Sequence, residues 1–341
     1  PFTVNGTTSV TGTINFGSTR ATSRLMTFNG DVTINSGGVW NETTTGAAAT
    51  FAFTNNFTNN ATTFTAQNTA HTFSGAAMTI SGSTATVIPS VTITNTRTNN
   101  GTLTASTALI GTGTLSNGAT GILNIGGTST ITTLTATTAG NTVNYIGAVQ
   151  TVKATTYVNL TLSGSGAKTT TGVTVNGILS IEGTATASVV PTYGALSTLQ
   201  YKGSSAQTTG PEFPATFAQP VIIDNANGVA LNASKTLNGN LTFTNGKLNL
   251  GSYNLTLGGS VSGVSSARYV VATTGELRKT FSANGSFAYP VGDASNYSPV
   301  TINVTAGTFS GAYVSAKVTN TAHPNLLSLT DYITRYWTIG G

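Results

Sequence analysis

The chain has 341 residues, of which only 6% are charged, against about a quarter in average soluble domains. Thr (71), Gly (40), Asn (32) and Ser (31) make up just over half of it. Thr prefers strands to helices, so this excludes a helical protein and nearly excludes an α/β enzyme. The net charge of +5 is spread thinly, with its closest groupings at Arg20/Arg24 and Arg278/Lys279; that is no dense positive face for a nucleic acid.

The chain opens directly in strand-like sequence at Pro1-Phe2-Thr3-Val4, which reads as a mature form whose export signal has been removed. Over residues 1–16 the alternation is strict. Phe2, Val4, Val10, Ile14 and Phe16 fall on even positions, and every odd position from Thr3 to Asn15 is polar. Such a stretch predicts one long amphipathic strand with an apolar face. It serves either as a cap on its own domain or as a strand donated to a neighbouring subunit.

Residues 17–262 carry short period-two strands such as Val91-Thr92-Ile93 and Leu160-Thr161-Leu162. A phrase recurs at Asn29-Gly30, Asn100-Gly101, Asn176-Gly177 and Asn238-Gly239, each followed by an apolar strand. Asn-Gly favours positive φ, so Gly177 and Gly239 are expected in equivalent tight turns. Separate hairpin sandwiches and a parallel β-solenoid both fit this pattern. The solenoid is favoured because the strands are short and nearly continuous, and because Thr and Asn ladders suit stacked coils. At roughly 22 residues per coil, residues 17–258 give about eleven coils.

Composition shifts at the Gly/Ser-rich stretch 259–266. Residues 263–341 then offer six strand candidates: 268–272, 277–281, 286–291, 299–304, 312–319 and 333–339. They predict a small antiparallel β-sandwich. Arg335 alternates with Ile333, Trp337 and Ile339, which puts it on a buried side and calls for a structural ion pair with Glu276, Asp293 or Asp331. The fold class expected is therefore all-β, a parallel β-solenoid followed by a small antiparallel β-sandwich.

Residues that carry chemistry are few. There is no Cys, so disulfides and Cys-based zinc sites are excluded. His71 and His323 are the only histidines and read as structural. Glu182, Lys202, Asp224 and Lys247 recur about one coil apart, which predicts a stacked charge column. A polysaccharide-cleaving pair of acids is the alternative. No catalytic, metal or cofactor residue is assigned, and no apolar run reaches the ~20 residues of a membrane span.

The phrases Asn159-Leu160-Thr161-Leu162-Ser163-Gly164, Tyr289-Pro290-Val291-Gly292-Asp293 and Arg335-Tyr336-Trp337-Thr338-Ile339 together resemble secreted β-strand-repeat surface proteins of Bacteroidota-type bacteria. The resemblance implies export to the cell surface, a structural or adhesive role and no catalytic residues. The expected partners are the chain itself, in a head-to-tail filament, and possible surface polysaccharide. A carbohydrate-binding adhesin stalk and a solenoid lyase or hydrolase are the alternatives.

Overall fold

The computed structural model describes residues 1–17, 19, 21–328 and 330–341; Arg20, grouped above with Arg24, lies outside them. The described residues contain no helix. The chain forms two compact units, 1–178 and 179–341, and both are built as a parallel β-solenoid. In the first, nine strands from Phe2–Val4 to Asn159–Leu162 stack in order on one face. In the second, five do so from Ile178–Ile181 to Val261–Ser262. The coils are uneven: Met26 pairs with Phe51, 25 residues on, and Val143 with Leu160, 17 residues on. Most are shorter than the 22 residues expected, so the chain holds more coils than eleven.

Period-two alternation turns every second side chain inward, and the parallel register stacks like on like. Leu103, Leu123, Val143 and Leu160 form one such column, and all four are fully buried. Each contributes about 1.5–3 kcal/mol by leaving water. In the first coils the columns are aromatic. The rings of Phe28 and Phe53 stack at 5.5 Å and those of Phe53 and Phe73 at 5.1 Å, with Trp40 buried beside them.

Between the apolar columns run the amide ladders. On the half-buried face, Asn144 Nδ2 donates to Asn124 Oδ1 (2.7 Å) and Asn124 Nδ2 to Thr104 Oγ1 (3.0 Å). Inside a corner, Asn99 Nδ2 donates to Asn117 Oδ1 (2.8 Å), and Asn117 Nδ2 donates to the Gly121 and Thr142 carbonyls (2.9 Å each). Buried amides are tolerated here because they are paired.

The Asn-Gly corners differ from expectation. Neither Gly177 nor Gly239 has positive φ. Glycine is needed there because the next coil is too close. A Cβ on Gly239 would stand 2.3 Å from the Gln219 carbonyl, and one on Gly177 2.6 Å from the Val158 carbonyl oxygen.

Residues 1–16 are not one long strand. They fold as the first coil, in three short strands: Phe2–Val4, Thr8–Val10 and Thr13–Asn15. These pair parallel with Leu25–Phe28, Val32–Ile34 and Val39–Asn41. The chain bends at Gly6 and Gly12. A Cβ on Gly30 would come within 2.3 Å of the Gly6 carbonyl oxygen, and Gly12 offers its carbonyl to Val39 N. The alternation itself holds, and part of the apolar face is turned onto the chain's own core. Val10 is buried, and Phe16 packs 4.5 Å from Trp40 and 5.1 Å from Phe51.

Parallel stacking in the second unit continues beyond residue 262, where the sequence placed its end. Val270–Val271, Leu277–Thr280 and Val291–Gly292 all pair parallel with the coil before them. The C-terminal antiparallel sheets are consistent with a small sandwich. One joins Leu277–Thr280, Tyr313–Thr319 and Tyr336–Gly340; the other joins Gly285–Tyr289 and Val300–Val304.

Candidate functional site

The most concentrated chemistry in the first unit is a buried polar knot in the aromatic core. Glu42 and His71 are shielded from water and lie 2.9 Å apart. Trp40 Nε1 donates to Glu42 Oε1 at 2.7 Å and the Gln67 amide to Oε2 at 2.9 Å. His71 Nδ1 meets the Thr69 carbonyl at 2.9 Å, and the ring stacks on Phe51 at 5.0 Å. Every partner is fixed by the protein, which suits a structural joint. The sequence singled out His71 but not Glu42, its partner one coil away.

The second unit has a comparable knot around Glu212, which is fully buried. Tyr201 Oη donates to Glu212 Oε1 (2.8 Å), as does the Gly210 amide (2.6 Å), and Tyr193 Oη donates to the Glu212 carbonyl (2.6 Å). Burial, reinforced by the Glu212 charge, pushes the Tyr193 and Tyr201 hydroxyls well above their usual range. Lys235 donates to the Phe213 carbonyl and stands 5.3 Å over the Phe213 ring. Burial lowers its ammonium, and Glu212 partly restores it.

Several cations cap main-chain carbonyls. Arg97 is fully buried; it donates to the Asn55 carbonyl (2.5 Å) and the Phe53 carbonyl (2.8 Å), and burial lowers it to about 10. Lys168 sits one coil above Gln150. It donates to the Gly147 and Ala148 carbonyls and to Gln150 Oε1 (3.1 Å), and burial lowers it to about 8.

Of the predicted site residues, Arg335 finds one of its three candidates. Its Nη1 lies 3.7 Å from Asp293 Oδ2 and donates to Ser298 Oγ at 3.0 Å. Burial alone raises the Asp293 carboxyl. The Ser295 and Asn296 amides, the Asn296 side chain and Arg335 together reverse this and hold it below its usual range. The expected buried face is not there: Ile333 is 70% exposed, Ile339 47% and Trp337 39%. Phe2, Ile14 and Phe16 line an open pocket of about 310 Å³ with Met26, Asn15 and Arg24, while Val4 and Val10 pair along the same coil.

The charge column forms only in part. Lys202 pairs in register with Asp224, whose carboxylate accepts from Asn245 Nδ2 (2.6 Å) and Gln200 Nε2 (3.3 Å). Glu182 accepts from Ser180 Oγ (2.9 Å). Lys247 turns to the Ala294 carbonyl (2.6 Å) and the Tyr269 ring (4.8 Å). His323 accepts from the Asn325 amide (3.2 Å) and packs on Tyr336. Among the described residues no three His, Cys, Asp or Glu side chains gather as a metal site. Among them, too, no helix is long and apolar enough to cross a membrane.

No family model, curated protein or solved structure matches the chain.

Proposed function

We propose that the chain is a non-catalytic structural subunit of an extracellular surface fibre that joins to itself head to tail. One observation carries this reading. Both units lay strand on strand in parallel register, so the fold is a repeat scaffold in which each coil is completed by its neighbours. A second support is that seven of the eight acidic residues accept hydrogen bonds within the fold. Such internally engaged carboxylates suit a structural scaffold. The surface location rests on the hydroxyl- and amide-rich, charge-poor composition and on the resemblance to secreted repeat proteins.

Negative-stain microscopy of the full chain over a concentration series tests the reading. Fibres are expected at the higher concentrations. Single particles at every concentration would overturn the proposal.

A further inference from the structure

One sheet of the first unit carries an ordered hydroxyl surface. Its strands follow one another in stack order from Thr8–Val10 to Thr133–Thr135. In its last three coils they read Thr96-Arg97-Thr98, Thr114-Leu115-Ser116 and Thr133-Leu134-Thr135. Arg97, Leu115 and Leu134 are buried, so alternation turns the hydroxyl residue on either side of each outward. The parallel register sets Thr96, Thr114 and Thr133 in one column and Thr98, Ser116 and Thr135 in a second. Thr79 extends the second column by one coil. Ser9, Thr33, Thr58 and Ser81 form a third across the earlier coils.

The result is a two-dimensional grid. It repeats every ~4.8 Å from strand to strand and every ~6.7 Å along the two-residue step. In the earlier coils the side chains bind one another: Thr79 Oγ1 donates to Asn56 Oδ1 at 3.1 Å, and Thr58 Oγ1 lies 3.2 Å from Ser81 Oγ. In the last three coils the side-chain hydroxyls of both columns, taken among the described residues, make no hydrogen bond within the protein. They are left to water. No outward position of these three strands is charged or aromatic.

The chemistry of the face selects its ligand. Small molecules are held in concave sites with apolar and aromatic walls, whereas this is a sheet surface without a ring. A nucleic acid needs positive charge, and the face has none. Each Thr instead joins a hydroxyl, which donates once and accepts twice, to a methyl group that restricts the orientation of the water beside it. Repeated on a lattice, these groups order water on a lattice. The two repeats of the grid are close to those of an ice prism face. We propose that this face binds ice, through the layer of water ordered on the Thr grid. The proposal stands apart from the fibre reading, since the register within a single copy is all it needs.

Nanolitre osmometry on the full chain tests it. A gap between the melting and growth temperatures of ice is expected, with faceted crystals, where serum albumin at the same molar concentration gives none. Thr114→Tyr puts a ring at the centre of the grid and should cut the gap at least fivefold, with an unchanged circular dichroism spectrum. Thr133→Tyr, at an exposed position in the same column, is a second and independent reading of the same loss. Thr128→Tyr, exposed on a different sheet, should leave the gap intact. A gap no larger than that of albumin overturns the proposal, as does an equal loss in Thr128→Tyr and the grid variants. Retention on crystalline chitin that Thr114→Tyr abolishes, with no gap in ice growth, would assign the face to a polysaccharide and overturn it as well.

Discussion

Glu42 and His71 sit within 2.9 Å of each other in the aromatic core, and changing one partner leaves hydrogen-bonding groups of the other unpaired where water cannot reach them. Glu42→Leu should therefore cost about 1–3 kcal/mol in chemical denaturation, whereas the double replacement Glu42→Leu/His71→Leu should recover part of that loss. Glycine tests a different force. Gly239→Ala meets the Gln219 backbone and should cost about 3 kcal/mol. Gly251→Ala has open space around it and only its φ of +58° to overcome, so it should cost about 1 kcal/mol. Lys168 gives a pH dependence. Its folded value of about 8 lies below the ordinary 10.5, so between these values the unfolded chain binds more protons and stability rises with pH. From pH 8 to 9.5 the melting temperature of the native chain should gain on that of Lys168→Met; a constant difference would contradict this.

At the scale of elements, the amide ladders divide into buried and half-buried rungs with different consequences. Asn117 satisfies three partners inside a corner, and Asn117→Ala should cost about 2–3 kcal/mol through the groups left unpaired. Asn124 belongs to a ladder that water reaches, and Asn124→Ala should cost less than about 1 kcal/mol; equal losses would contradict the distinction. The strands were legible because alternation is local: the period that marks Leu160 and Leu162 as inward is visible in the residues themselves. The same pattern misled at residues 1–16, since alternation survives a bend at Gly6 and Gly12 when each strand restarts in phase. The Asn-Gly phrase was legible as a corner, but the reason for Gly239 lies in Gln219, on the neighbouring coil. For the same reason Glu42 was missed beside His71: contacts across coils of uneven length leave no fixed spacing to read. Arg335 and Asp293 were found because charge is so scarce at the C-terminal end that few partners remained.

At the scale of the molecule, both units use one device, a parallel register that sets like over like, Leu103 over Leu123 in the first and Leu255 over Leu277 in the second. Each coil is completed by its neighbours, so an end coil carries unpaired edges. In the second unit the stack is interrupted where Gly285–Tyr289 leaves it to pair with Val300–Val304. The proposed fibre adds copy to copy along the direction in which the coils stack. Fibre diffraction from aligned assemblies of the full chain tests this most directly. Coils stacked along the fibre predict a meridional reflection at about 4.8 Å. A protein that stays monomeric at high concentration, or fibres whose reflection at about 4.8 Å lies on the equator, would contradict it.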